Sequence, residues 1–253
     1  MAGADPAGER AGMNLDLPVP GRALAVGAHP DDIEFGCGAT LAKWAAAGCV
    51  VHHLVLTDGS KGSWDPTTDL AELVHQREQE QRAAARRLGA TGEVVMLGQI
   101  DGELESSLAL RAQVAYWIRR LQPDVVLGHD PWKRYRLHPD HRHAGWLTVD
   151  GVVAARDPHF HRDHDVAHHR PSALLLFEAD EPNHAEDVTG HGETKVAALL
   201  EHRSQWRSTM HIDPGDDGTQ LEAFRARVLG RLRDHGAEVG VPEAELFLAI
   251  VDL

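Results

Sequence analysis

Residues 27–40 read GAHPDDIEFGCGAT and set His29, Asp31, Asp32 and Glu34 within six positions, directly after an apolar run. Carboxylates that close repel one another and resist burial unless something positive gathers them. A second cluster, HPDHRHAG at 138–145, adds His138, Asp140 and His141. His29 and Asp32 are three apart, as are His138 and His141, so each pair can present two donors on one side of a turn. Two histidines and one carboxylate form the donor set of a catalytic Zn2+ site. Such a site leaves one position for water, whose pKa then falls to about 7. Ferrous iron or another divalent metal accepts the same donors. Amide hydrolysis also needs a base for the water's proton, a positive group at the developing oxyanion, and an acid for the leaving nitrogen. Asp31, adjacent to a candidate ligand, is placed to be the base. A histidine off the metal serves as electrophile or acid, with Asp140 to orient it. Each cluster alone also reads as a turn or a capped helix start. Their joint occurrence, each after a strand-like run, points to a site.

Something must hold these loops together. RALAVGA (22–28), CVVHHLVLT (49–57), GEVVML (92–97), PDVVLGHD (123–130), SALLLFEA (172–179) and AELFLAIVDL (244–253) read as strands. Helical stretches lie between them: 37–48 ending on Gly48, 69–88 ending on Gly89, 107–122, 138–155 with Pro139 in its first turn, 192–206 and 219–236. This alternation predicts an α/β fold, a mostly parallel sheet with helices on both faces. Ligands of such sheets bind outside the carboxyl ends of the strands. The loops at 29–34, 57–61 and 129–141 therefore converge on one edge, with Lys61 available to meet a substrate and His129 and Asp130 in the wall behind. Residues 1–20 read as a loose arm and 21–253 as one domain.

Bulk properties narrow the class. The net charge of −14, from 39 acidic and 25 basic residues, argues against nucleic acid or an anionic membrane as partner, since both need clustered cations. No stretch approaches the roughly 18 apolar residues of a membrane span. The polar N-terminus lacks a hydrophobic signal region, and two cysteines, Cys37 and Cys49, make no disulfide scaffold. A cytoplasmic enzyme is the expectation.

AHPDDIEFGCGATLA and HPDHRHAG together resemble the PIG-L/LmbE-like family of zinc-dependent de-N-acetylases. LVLTDGSKG, REQEQRAAARRLGA, LGQIDGEL, LQPDVVLGHDP and DVTGHGETKVAALLEHRSQ follow in the family's order, so the resemblance spans roughly residues 22–207. It implies a Rossmann-like three-layer fold. It also implies His29, Asp32 and His141 as metal ligands, Asp31 as general base, and His138 as the group serving the oxyanion or the leaving amine, with Asp140 as its partner. Arg77, Asp101 and His202 match family positions beside the sugar. The implied substrate is a small N-acyl amino sugar or conjugate, the acyl group being acetyl, and since some relatives assemble, a homo-oligomer is among the expected states. Two other readings stand beside it: an amidase cleaving thiol S-conjugates, and a non-enzymatic binding module with a structural metal. Structural zinc is usually closed by four cysteine-rich ligands, which this chain does not offer. The His-rich segment 155–172 matches nothing in the family and is expected to shape the acceptor side of the pocket.

Overall fold

The run Ala23–Val26 is buried at every position, so the strand it forms has no solvent face. The computed structural model describes residues 13–253. The strands are β1 (Asn14–Leu15), β2 (Arg22–Gly27), β3 (Val50–Thr57), β4 (Val94–Gln99), β5 (Val125–His129), β6 (Ala173–Phe177), β7 (His184–Asp187) and β8 (Ala244–Val251). Alternate side chains go to opposite cores. Leu24, Val26, Leu54 and Val126 pack with Val114 and Ile118 of α3 (Leu108–Leu121) and Ala144 and Leu147 of α4 (Pro139–Arg156). Ala23, Ala25, Val51 and Leu127 face Ile33, Leu41 and Trp44 of α1 (Asp32–Ala46) and Ala84 of α2 (Leu70–Arg87). Helices α5 (Gly192–Leu199) and α6 (Thr219–Val239) extend that second layer.

All eight strands join one sheet in the order β1-β7-β8-β6-β5-β2-β3-β4. Strand β2 pairs in parallel with β3 on one side and β5 on the other. The chain runs outward from β2 and later returns to β5, so the crevice at their carboxyl ends is the point where strand order reverses. The HPDD loop leaves β2 there, and the loop leading to HPDH leaves β5. This is the mostly parallel α/β arrangement the sequence pattern implies.

Four details differ. Strand β8 is antiparallel to both β6 and β7. Strand β7 escapes the sequence pattern because two of its three buried positions are polar: His184 and Glu186 are hydrogen-bonded to each other at 2.8 Å. The arm expected to be loose over 1–20 is pinned from Asn14 onward, where β1 pairs with His184 and Ala185; residues 1–12 lie outside the described part. Helix α1 starts five residues before the expected Cys37, but it kinks there, at φ −147° and ψ 19°. The second segment has its free amides at Ala39 and Thr40 capped by the Glu245 carboxylate of β8, at 3.2 and 2.8 Å.

Segment 155–172 lies at the opposite edge from the site. Arg119 of α3 donates to the carbonyls of Ala154, Ala155, Asp157, Phe160 and His161, and His169 meets the carbonyl of Pro123 just before β5. Its expected role at the pocket is therefore corrected. A helix that follows a parallel strand returns the chain to the amino-terminal edge, and the α4–β6 loop must start from there. No helix among the described residues is long and apolar enough to cross a membrane.

Candidate active site

His29 and Asp32 come from the turn after β2, and His141 from the first turn of α4. His29 Nδ1 lies 3.3 Å from Asp32 Oδ2 and 3.2 Å from His141 Nε2, and His141 Nε2 lies 3.2 Å from Asp32 Oδ1. Tetrahedral coordination with bonds of about 2.0–2.1 Å sets ligand atoms about 3.3–3.4 Å apart. The two imidazole nitrogens and the two Asp32 oxygens already stand at this spacing, one oxygen toward each histidine, so the three residues fit a divalent cation.

Two of the three donors, His29 and Asp32, are aimed by a further partner. The Nε2–H of His29 points at Asp140 Oδ2 (3.1 Å) and Asp101 Oδ1 (3.2 Å), which leaves Nδ1 with its lone pair toward the triangle. Asp140 is held in turn by the amides of Gly102 (2.6 Å) and Leu104 (3.3 Å). Burial pushes the His29 pKa down, but the carboxylates of Asp101, Asp140 and Asp32 outweigh it and raise it well above the usual value. His129, the last residue of β5, is buried and stacks on His141 at 4.4 Å, with its Nε2 3.2 Å from Asp32 Oδ2. Arg136 faces the other ring nitrogen of His129 at 3.3 Å and pairs with Glu178 at 2.7 Å.

Asp31 caps α1 in the left-handed region, at φ 111°. Its amide donates to Gln81 Oε1 (3.0 Å), and Gln81 Nε2 donates to the fully buried Glu34 (2.8 Å). Arg77, one helical turn before Gln81 on α2, donates to the carbonyls of Pro30 (2.5 Å) and Gly59 (2.9 Å) and sits 3.6 Å from Asp31 Oδ2. Gly59 and Gly62 leave room for that guanidinium; a Cβ at Gly59 would come within 2.7 Å of it. Burial lifts the Asp31 carboxyl to about 6, with Arg77 pulling against that and Asp32 adding to it.

His138 caps α4, its Nδ1 accepting the Asp140 amide at 3.3 Å. Burial, His29 and His141 lower its pKa. The neutral ring thus carries its proton on Nε2. Its ring centroid is 4.6 Å from that of His29 and 5.0 Å from that of His141. A cavity of about 700 Å³ opens over His29, Asp31, Asp32, His138 and His141 and runs toward α6.

Nine of the ten expected residues converge here: His29, Asp31, Asp32, Lys61, Arg77, Asp101, His138 and His141 line the cavity, and Asp140 stands behind His29. Two partnerships change. Asp140 and Asp101 stand behind His29; Asp140 does not aim its carboxylate at His138, and Asp101 has its two oxygens on His29 and the Lys61 amide (3.1 Å). Residues two apart on a helix face different ways, so Asp140 meets the Gly102 loop while His138 faces the cavity. Arg77 lies behind Asp31 as a clamp, and Lys61 stands at the rim, 3.1 Å from Glu103. His202 is fully buried against Glu34 at 3.2 Å and does not line the cavity, which corrects its expected place beside the sugar. Gln81 went unread, although a polar residue four positions after Arg77 is a same-face signal.

The family model described as PIG-L, GlcNAc-PI de-N-acetylase, matches residues 24–152. The diacetylchitobiose deacetylase of Thermococcus kodakarensis is 35% identical over 188 residues, covering 73% of this chain and 70% of that protein. A 1D-myo-inositol 2-acetamido-2-deoxy-alpha-D-glucopyranoside deacetylase from Mycolicibacterium vanbaalenii is 30% identical, covering 73% of this chain and 80% of its own. Among solved structures, the N,N'-diacetylchitobiose deacetylase of Pyrococcus horikoshii superposes with a TM-score of 0.80 at 30% identity, covering 92% of this chain and 84% of that one. The chain belongs to the PIG-L family of GlcNAc-PI de-N-acetylases.

Proposed function

We propose that this chain is a divalent-metal-dependent hydrolase that removes the N-acetyl group from an amino sugar or an amino-sugar conjugate. The observation that carries the reading is the triangle of His29, Asp32 and His141 at the floor of a cavity with Asp31 beside it. His29, Asp32 and His141 would hold the cation, zinc being the first candidate and ferrous iron fitting the same donors. When bound, such a cation supplies Lewis-acid polarisation of the acyl carbonyl and acidifies water. Asp31, held by Gln81 and Arg77, takes the proton of the attacking water. His138 donates its Nε2–H to the carbonyl oxygen as negative charge develops there. Asp31 then returns the proton to the leaving nitrogen, which departs as the amine with acetate as co-product. Asp101 and Asp140 keep the His29 ring in the donor orientation. The two cysteines, both buried and unpaired, suit a reducing compartment, so we assign the enzyme to the cytoplasm.

Acetate release from N,N'-diacetylchitobiose by the zinc-loaded protein, beside Asp31→Asn, tests this. The expected result is turnover by the wild type and a loss of at least a hundredfold in kcat with zinc content unchanged. Near wild-type turnover by the variant would overturn the base assignment.

A further inference from the structure

Glu34 is the one charged group of the HPDDIE stretch with no task at the metal end, and it is fully buried. Its two oxygens have separate partners. Oε1 accepts from Gln81 Nε2 at 2.8 Å, and Oε2 accepts from His202 Nε2 at 3.2 Å. Gln81, His53 and His202 are buried as completely. Gln81 Nε2 also faces His53 Nδ1, at 3.1 Å. With that nitrogen committed to a carboxylate and an imidazole, Oε1 is the end of Gln81 left for the Asp31 amide, which it meets at 3.0 Å. Turned over, the same side chain would set its NH2 against the N–H of Asp31 and its oxygen against Glu34. Glu34 thus decides which end of Gln81 meets the base.

That contact matters because Asp31 stands at φ 111°, a conformation that persists for a residue with a Cβ only where its surroundings fix it. Arg77 holds the preceding carbonyl, of Pro30, and Gln81 holds the Asp31 amide. On the other side of Glu34, His202 is anchored in the turn that follows α5. Its amide donates to the Leu199 carbonyl (3.1 Å) and its carbonyl accepts from Gln205 (2.9 Å). Ser204 sets its amide (2.9 Å) and hydroxyl (2.6 Å) on the carboxylate of Glu80, the neighbour of Gln81 on α2. The turn and this part of α2 are therefore one unit. Apolar residues of similar volume would pack such a core at least as stably. What the polar chain adds is a fixed orientation. Without His202, Gln81 Nε2 is the one hydrogen-bond donor that the Glu34 carboxylate keeps among the described residues. A buried oxygen left without a partner is costly, so the carboxylate turns and Gln81 follows it.

We infer that His202 is a positioning residue for the reaction: through Glu34 it fixes the Gln81 amide, and through Gln81 it holds Asp31 in the left-handed conformation that sets the base in the cavity wall. This rests on the reading of Asp31 as the base of a deacetylase.

The test pairs kinetics with amide exchange. Acetate release from N,N'-diacetylchitobiose is followed with zinc-loaded wild type, His202→Leu, His202→Gln, Gln81→Leu and the double variant His202→Leu/Gln81→Leu, each rate expressed per bound zinc. His202→Leu should lower kcat about tenfold or more with KM unchanged, since a misplacement of about 1 Å costs on the order of a hundredfold. His202→Gln returns a donor to the position of the ring Nε2 and should recover most of that loss. The double variant should be no slower than Gln81→Leu alone, because the two residues act in series. A kcat near wild type in His202→Leu, no recovery in His202→Gln, or losses that multiply in the double variant overturns the relay. Hydrogen exchange at the Asp31 amide reads the same relay without turnover. Its protection should match that of the β3 amides in the wild type and drop relative to them in His202→Leu. Fast exchange at Asp31 in the wild type, or unchanged protection in the variant, overturns the relay as well. Should His202→Leu not fold, His202→Asn, whose amide is too short to reach Glu34, takes its place. No release by the wild type would sink the deacetylase reading alone, and the exchange measurement then decides the relay.

Discussion

Replacing Asp140 by asparagine separates two arrangements of the site. Asp140 is fully buried; Oδ2 accepts from Gly102 (2.6 Å) and His29 Nε2 (3.1 Å), and Oδ1 accepts from Leu104 (3.3 Å). An asparagine keeps one acceptor oxygen. Turned to preserve the Gly102 and His29 contacts, it faces its NH2 at the Leu104 amide and gives up the longest of the three bonds. The bond from His29 then ends on a neutral oxygen, and charge-assisted hydrogen bonds are roughly twice as strong as neutral ones. Losing an outer partner of a ligating histidine lowers metal affinity by about 10- to 100-fold, or about 1.4–2.8 kcal/mol. Asp101 still stands 3.2 Å from the same nitrogen, so the loss should fall near tenfold, and the double variant with Asp101→Asn should lose more than the two single changes combined. Zinc affinity is read by competition with a chromophoric chelator, and kcat is measured at saturating zinc, where it should return to within a few fold of wild type. An unchanged zinc affinity with a hundredfold drop in kcat would refute the reasoning, because it would put Asp140 to work on His138.

Other expectations follow from the same geometry. Dialysis against a chelator should abolish acetate release and lower Tm while leaving the far-ultraviolet circular dichroism intact, with zinc restoring all activity; unfolding on chelation would make the metal structural. Arg77→Lys cannot reach Pro30, Gly59 and Asp31 together, so kcat should fall at least tenfold with zinc content unchanged on elemental analysis. At the outer edge, burial raises the Asp16 pKa but Lys43 and the Asp187 amide outweigh it, leaving the group below its ordinary 3.8. Its stabilisation is therefore full above about pH 4 and lost as pH falls through the lower folded value. Amide protection at Asn14 and Asp16 should drop at pH 3, and Lys43→Met should produce the same loosening at pH 7.

The sequence carried what is local. His29, Asp31, Asp32, His138 and His141 were legible because type and spacing alone bring them to strand ends at the point where strand order reverses. What was illegible acts through space. Glu245 caps α1 from more than 200 positions away, and no pattern around either partner announces it. Strand β7 hid because Glu186 and His184 satisfy each other, so its buried face reads as a polar loop. Asp140 was given to its sequence neighbour His138, although the first turn of α4 sends the two in different directions. His202 misled in the opposite sense: its environment is a buried carboxylate, Glu34, and a helix-turn histidine gives no sign of whether it faces a cavity or a core.

Strand β8, last in chain order, lies between β6 and β7, which gives synthesis a direction. Before β8 emerges, β7 and β1 have only each other, and two short parallel strands alone do not persist in water. Until then β6 presents an apolar edge, ALLLF, with open backbone groups, a template for pairing with another chain. The Glu245 cap on α1 is also missing at that stage, so the segment that carries Asp31 and Asp32 is held less firmly at its far end. The nascent chain therefore has this edge open to aggregation until β8 leaves the ribosome, and a chaperone that masks β6 would act in that interval.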